Sequence, residues 1–244
     1  MTEAPGEDRR AALVRGLGRV RARVADACAA AGRSPVGITL VVVTKTYPVA
    51  DLAALASLGV RDVGEAREQE LRDKRAQLDP VPAVGGAEPL LRWHVVGRLQ
   101  RNKARSVGRL ADVVHSVDDP RLVEPLSRGA ADVGRTLDCF VQVSLDADPS
   151  RGGVAAAGLA GLCDVLVATE HLRLLGVMAV APVDQDPAEA FARLREIASA
   201  VAADHPGAVA LSAGMSGDLE QAVAHGATHL RVGAAVLGRR PPTL

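Results

Sequence analysis

The stretch Ile38-Thr39-Leu40-Val41-Val42-Val43-Thr44-Lys45-Thr46-Tyr47-Pro48 joins an apolar, largely β-branched run to a short polar turn. A run without alternation suits a strand covered on both faces, as in parallel sheets flanked by helices. The competing fold, a doubly wound open sheet, usually turns after its first strand through GxGxxG. The turn here has no glycine, which favours a closed α/β barrel.

Outward from this strand, short β-branched runs alternate with Ala/Leu-rich helical stretches to the end of the chain, the pattern of successive βα units. Strands are predicted near Ile38–Val43, Asp62–Gly64, Arg92–Val96, Asp112–His115, Asp138–Leu145, Leu174–Val180, Ala208–Leu211 and His229–Val232. Helices are predicted near Val49–Leu58, Ala66–Leu78, Leu99–Arg109, Pro120–Val133, Val154–His171, Pro187–Asp204 and Ser216–His225, with a short turn at Ala234–Gly238. This makes a single (β/α)8 barrel of TIM type, for which about 250 residues is usual; the chain has 244. Ahead of the first strand, Leu13, Leu17, Val20 and Val24 recur at helical spacing between Ala11 and Ala31, and Gly32 supplies a stop. Residues 1–10 are expected to be a disordered N-terminus, and 11–244 one barrel domain with an extra leading helix. Pro80–Pro89 and Ala181–Pro187 are loops, the second placed where a barrel keeps functional segments.

Apolar residues make up 48% of the chain but aromatic ones only 2%, so a core of Ala, Val, Leu and Ile is expected. Lys plus Arg and Asp plus Glu are equal at 29 each, leaving no long-range attraction to nucleic acid or an anionic membrane. Cys28, Cys139 and Cys163 are odd in number and widely spaced, and read as reduced core residues of a cytosolic protein. Met1 to Arg10 carries acids and a proline where a signal peptide needs basic and then apolar residues, so a cytoplasmic location is expected. The longest apolar runs fall well short of the roughly 20 residues of a membrane helix.

Lys45 directly follows the first strand, which puts its amine at the C-terminal rim of the barrel. Partial burial without a carboxylate partner favours the neutral amine, the form that condenses with an aldehyde; the alternative is a loop lysine reaching solvent. Near the other end, Leu211-Ser212-Ala213-Gly214-Met215-Ser216-Gly217-Asp218-Leu219 passes from strand through a glycine turn to a helix for which Ser216 is a good N-cap. Free N–H groups there, with the Ser212 and Ser216 hydroxyls, form a candidate phosphate cradle. Arg231-Val232-Gly233-Ala234-Ala235-Val236-Leu237-Gly238 ends the eighth strand and opens a short helix whose N–H groups face the same phosphate, as loops after barrel strands seven and eight often do. Each segment alone reads more readily as an ordinary capped helix. Their joint occurrence with a rim lysine tips the balance towards a site.

The stretches Val42-Val43-Thr44-Lys45-Thr46, Val63-Gly64-Glu65, Trp93 to Lys103, His115-Ser116-Val117-Asp118, Gly176-Val177-Met178-Ala179, Leu211 to Ser216 and Arg231-Val232-Gly233 then take on a joint meaning. Together, in family order, they resemble the pyridoxal-phosphate homeostasis protein family, single-domain relatives of the alanine racemase N-terminal barrel. The resemblance runs from Lys45 to Gly238. It implies that pyridoxal 5′-phosphate is held by Lys45 as a Schiff base. Ser212, Met215, Ser216 and Gly233 would line the phosphate, with Gly214 in the same turn. Arg231 would lie against either the pyridine nitrogen or the phosphate, and Met178 would pack beneath the ring. An arginine at the nitrogen would discourage its protonation and weaken the ring as an electron sink. Two positions depart from the family: Ala66 stands where Asn is usual after Gly64-Glu65, and Arg98 replaces a proline after Gly97. The first removes a polar group near the cofactor; the second bears on loop stiffness.

Among other features, Arg98, Arg101, Lys103, Arg105 and Arg109 read as a solvated helix face. His225 and His229 are separated by Gly226 and lack the glutamate of a zinc helix, so no metal is assigned. His94 and His115 end strands three and four, as mouth residues or packed imidazoles.

The resemblance implies a carrier and buffer of the cofactor in vitamin B6 and amino-acid homeostasis, a monomer whose protein contacts are transient ones with apo pyridoxal-phosphate enzymes, with no nucleic-acid or membrane partner. No catalytic residue is assigned. Related racemases use a tyrosine from a second domain as an opposing acid/base, whereas this chain ends at Leu244 and its one tyrosine, Tyr47, shares the Lys45 loop. The alternatives are a weak amino-acid racemase or other pyridoxal-phosphate enzyme in which Tyr47 or His94 moves protons, and a barrel that binds another phosphorylated ligand.

Overall fold

Eight short parallel strands form in the positions that the apolar runs predict, and each pairs with its sequence neighbour. The computed structural model describes residues 6–78, 91–146, 148 and 151–238. Its strands are β1 (Thr39–Val43), β2 (Asp62–Glu65), β3 (Arg92–Val95), β4 (Val113–Val117), β5 (Leu137–Gln142), β6 (Leu172–Met178), β7 (Ala210–Ser212) and β8 (His229–Val232). They close a barrel in sequence order, β8 returning to β1 with Thr39 opposite His229 and Val42 opposite Val232. The Pro80–Pro89 loop lies outside the described residues.

Side chains alternate along a strand. Val42, Val63, Trp93, Val95, Cys139, Val141, Leu230 and Val232 therefore face outward and pack under the helices in the main core. Val41, His94, His115, Phe140, Ser212 and Arg231 turn inward and are all buried. Val113, Phe140 and Met178 form a second, small apolar cluster. The expected core of Ala, Val, Leu and Ile is thus mainly the outer layer. Inside the sheet, polar side chains share the space with the small apolar cluster, and their burial is tolerable because they satisfy one another. Cys28, Cys139 and Cys163 are buried and free, and burial pushes the Cys163 thiol up to about 11.

The helices are α1 (Glu7–Ala30), α2 (Val49–Ser57), α3 (Glu68–Leu78), α4 (Arg101–Leu110), α5 (Val123–Ala131), α6 (Ala156–Val167), α7 (Pro187–Asp204), α8 (Leu219–Ala224) and α9 (Ala234–Leu237). Two starts differ from expectation in ways that matter. α1 begins at Glu7, so residues 7–10 are helical rather than disordered. Glu7 and Asp8 suit the positive end of the helix dipole, and Arg9 anchors that turn to α2 and α9. α8 begins at Leu219 rather than Ser216, for a reason that belongs to the site.

α1 packs against α2, α8 and α9. Gly16 allows this approach, since a Cβ there would lie 2.1 Å from the Val236 carbonyl oxygen. No helix among the described residues is long and apolar enough to cross a membrane.

Candidate functional site

β1 leaves the barrel at Thr44, and a buried network fixes the turn that follows. Thr44 Oγ1 donates to Glu65 Oε1 at 2.6 Å. From α3, Lys74 Nζ donates to the same oxygen and to the Thr44 carbonyl, both at 2.8 Å. Burial pushes the Glu65 carboxyl up, while Lys74 and Thr44 act in the opposite direction. Thr46 is left-handed at φ 68°, with its N–H donating to Glu70 Oε2 at 2.7 Å. A non-glycine residue persists in that region only where its surroundings over-determine it. Between these fixed points Lys45 projects outward, exposed. Its Nζ has no hydrogen bond or ion pair among the described residues. The partial burial expected for Lys45 is not found, because the rim opens into a wide mouth.

The facing wall comes from the β7 and β8 turns. Gly214 has φ 88°, and a Cβ on it would lie 2.6 Å from that of Ala222, so glycine is required twice over. The Met215 N–H donates to Asp218 Oδ1 at 2.6 Å. Asp218 rather than Ser216 thus organises this turn and precedes α8. Ser216 turns to the other loop, its Oγ accepting the Ala235 N–H at 3.3 Å. The Val236 and Leu237 N–H groups donate to Gly233 O, which leaves Ala234 as a first-turn N–H without an intrahelical acceptor.

Lys45, Met215, Ser216, Arg231, Gly233 and Ala234 line one cavity of about 560 Å³, together with Val43, Tyr47, Val96, Val180, Gly217 and Gly238. This lining contains two cations and no carboxylate. Arg231 is 5% exposed; its Nη1 donates to Ser212 Oγ at 2.6 Å and its Nη2 to the Ala179 carbonyl at 2.9 Å. Burial pulls its pKa down to about 10, which still leaves it charged at neutral pH. Tyr47 Oη donates to the Gly238 carbonyl at 2.7 Å, and the Arg9 guanidinium sits 5.7 Å from its ring centroid. The cavity can hold an anion bearing a carbonyl group, with an unpaired amine on one wall and N–H donors on the other.

Of the residues singled out in the sequence, Lys45, Met215, Ser216, Arg231 and Gly233 meet in this cavity, and three do not. Ser212 is fully buried behind Arg231, its hydroxyl engaged there and with His115. Gly214 shapes the turn without lining the cavity. Met178, the last residue of β6, is buried and packs with Val113 and Phe140 on the inner side of the sheet. His94 and His115 are both packed imidazoles at 0% exposure. His229 lies inside the barrel against Thr228, away from His225 at the end of α8. Arg105 and Arg109 both pair with Asp132, so part of the basic face is internally matched. Ala66 meets Gly97 instead of the cavity: a Cβ on Gly97 would lie 2.3 Å from its carbonyl oxygen, and Arg98 is exposed. Thr44 and Glu65 were read only as members of matching stretches, with no role assigned, and Lys74 went unread because it carries no signal beyond that of a charged helix.

The alanine racemase N-terminal domain model matches residues 17–241. A pyridoxal phosphate homeostasis protein of Mycobacterium tuberculosis is 46% identical, covering 96% of this chain and 95% of its own. One from Escherichia coli K12 is 32% identical, covering 93% and 97%. Among solved structures, PipY of Synechococcus elongatus PCC7942, with PLP bound, aligns at TM-score 0.74 and 34% identity over 88% of this chain and all of its own. A protein of unknown function from Bifidobacterium adolescentis aligns at 0.85 and 29% identity, covering 96% and 98%. Alanine racemase from Corynebacterium glutamicum, at 13% identity and TM-score 0.60, shares the fold over 90% of this chain and 60% of its own. The chain belongs to the pyridoxal phosphate homeostasis protein family, built on the alanine racemase N-terminal barrel.

Proposed function

We propose that this protein binds pyridoxal 5′-phosphate reversibly in the mouth cavity, and that by holding it the protein buffers the free cofactor in vitamin B6 and amino-acid homeostasis. One observation carries the reading: an exposed amine without a partner shares a cavity with a buried guanidinium and the turns after β7 and β8, and no carboxylate intrudes. When bound, the cofactor supplies an aldehyde, which condenses with an amine and releases one water. Lys45 Nζ is that amine. Backbone N–H groups at Ser216, Gly217, Gly233 and Ala234, with the Ser216 hydroxyl, would hold the phosphate dianion. Met215 forms part of the wall, and Arg231 donates to the cofactor. Ser212, Gly214 and Met178 serve from behind, by supporting Arg231, the turn and the interior.

Support also comes from the relatives named for pyridoxal phosphate homeostasis and from PipY, solved with PLP bound. We further infer that the chain acts as a single-domain monomer in the cytoplasm and meets apo pyridoxal-phosphate enzymes only transiently.

Borohydride reduction of protein mixed with pyridoxal phosphate, followed by peptide mass mapping, tests the site. A pyridoxyl mass is expected on the Lys45 peptide and is expected to vanish in Lys45→Ala; an unmodified Lys45 would refute the site. Incubation with L- or D-alanine tests the carrier role, since racemisation at ordinary enzymatic rates would make the protein an enzyme.

A further inference from the structure

Behind Arg231 an unbroken line of hydrogen bonds crosses the barrel interior. Arg231 Nη1 lies 2.6 Å from Ser212 Oγ, which lies 2.8 Å from His115 Nδ1. His115 Nε2 lies 2.8 Å from His94 Nδ1, and His94 Nε2 lies 2.9 Å from Asp62 Oδ1. Asp62 opens β2 at the end of the barrel away from the mouth. There it lines a separate cavity of about 410 Å³ with Thr39, Leu40 and Arg61.

The chemistry of the two end groups sets the direction of every bond through neutral rings. A guanidinium only donates, so Ser212 Oγ accepts from it; a carboxylate only accepts, so the rings donate towards Asp62 and His115 Nδ1 is left to accept the Ser212 O–H. His115 then carries its hydrogen on Nε2 and donates to His94 Nδ1. His94 in turn carries its hydrogen on Nε2 and donates to the Asp62 carboxylate. The line thus has a cation at the mouth, an anion at the floor and neutral groups between. Burial lowers both imidazole pKa values, His115 well below its ordinary value. His115 stacks on Phe140 at 4.7 Å with the edge of His229 at 6.1 Å, which holds its ring in place. Arg92, Asp112 and Asp138 are the other charges around the floor end, and Asp218 is the acid whose charge acts on Arg231.

We propose that Asp62, His94 and His115 are positioning residues, which through Ser212 fix the orientation of the Arg231 guanidinium towards a cofactor bound in the mouth. This rests on the reading that the mouth binds pyridoxal phosphate beside Arg231. Asp62 then influences the cofactor from the opposite end of the sheet without touching it.

The test uses Asp62→Asn, which removes the anionic end at a partly exposed position, and Asp62→Glu, which retains it and has room in the floor cavity. Titration with pyridoxal 5′-phosphate is expected to show roughly tenfold weaker binding in Asp62→Asn, the worth of about one hydrogen bond to a charged group. The visible absorbance band of the bound form is expected to shift with it, while Asp62→Glu stays within about twofold of the unaltered protein. Nitrogen NMR of the cofactor-free protein is expected to show His94 and His115 as neutral Nε2–H tautomers from about pH 6 to about pH 8. An Nδ1–H tautomer at either ring would overturn the proposal. So would unchanged binding and absorbance in Asp62→Asn while borohydride still marks Lys45 of the unaltered protein, a result that leaves the cofactor site standing. Absence of that mark from the unaltered protein would instead remove the site, and the proposal with it.

Discussion

Lys74 Nζ and Glu65 Oε1 meet at 2.8 Å beneath the turn that presents Lys45, with side chains 8% and 0% exposed. Removing one partner of a buried pair leaves the other uncompensated, which is worse than removing both. Lys74→Met is expected to cost about 3 kcal/mol of stability and to weaken cofactor binding by loosening Thr44. The double variant Lys74→Met/Glu65→Gln keeps an acceptor for Thr44 and no buried charge, and should recover most of the loss. Urea unfolding of the three proteins checks this; a double variant no more stable than Lys74→Met would contradict it.

Arg9 forks onto Asp51, Nε to Oδ1 at 3.0 Å and Nη2 to Oδ2 at 2.5 Å, while its Nη1 donates to the Leu237 carbonyl at 2.9 Å. One side chain near the N-terminus therefore ties α1 to α2 and α9. Asp51 is 1% exposed. Arg9→Ala should destabilise the protein by about 2 kcal/mol, less than the full cost of breaking a buried pair because Arg9 itself is a third exposed. A melting temperature unchanged by this substitution would mean that the first helical turn contributes nothing.

Gly16 sets how closely α9 docks, and α9 begins at the cavity wall. Gly16→Val would drive its side chain into the Val236 carbonyl and displace Ala234. Weaker pyridoxal phosphate binding, by about tenfold, is expected alongside a loss of about 2–3 kcal/mol in stability. Val14→Ala on the exposed face of the same helix should leave both unchanged. Equal behaviour of the two variants in a binding titration would rule the coupling out.

His229 is held neutral inside the barrel, its pKa lowered to about 4, chiefly by burial and then by the nearby His94 imidazole and Arg92 guanidinium, which disfavour a second positive charge there. In the unfolded chain it titrates near about 6.5, so between these values the unfolded state binds more protons. The stabilisation is complete above about pH 6.5 and is lost as pH falls to about 4, an effect of about 3 kcal/mol. His94 and His115 shift in the same direction. Melting temperature followed by circular dichroism should hold steady above about pH 7 and fall steeply below about pH 6. A flat profile down to about pH 4 would show that the interior imidazoles do not resist protonation.

Lys45, Ser216, Arg231 and Gly233 were legible in the sequence because each sits where a barrel strand ends, a position fixed by chain order. Ser216 was legible as to place but not as to partner. A serine before a helical run reads locally as a cap, whereas here Asp218 stands at the cap position with its carboxylate turned back to the Met215 N–H, and Ser216 reaches across to Ala235. Met178 was read as packing beneath the ring or filling the interior, but its partners Val113 and Phe140 were not legible, since the level of a residue in a barrel depends on register with both neighbours. Its pairing with Gln142 and Ser212 has no trace in its own segment.

What the order of residues determined by itself is the barrel and the ring of strand ends, because hydrophobic periodicity and turn chemistry act over a few residues and repeat eight times. What only the tertiary structure decided is the company each side chain keeps. Lys74 reaches Thr44 from 30 positions away, and His115 reaches Ser212 across 97. Such partners are chosen when the sheet closes and buried polar groups must find one another, a constraint set by burial and not by any local pattern.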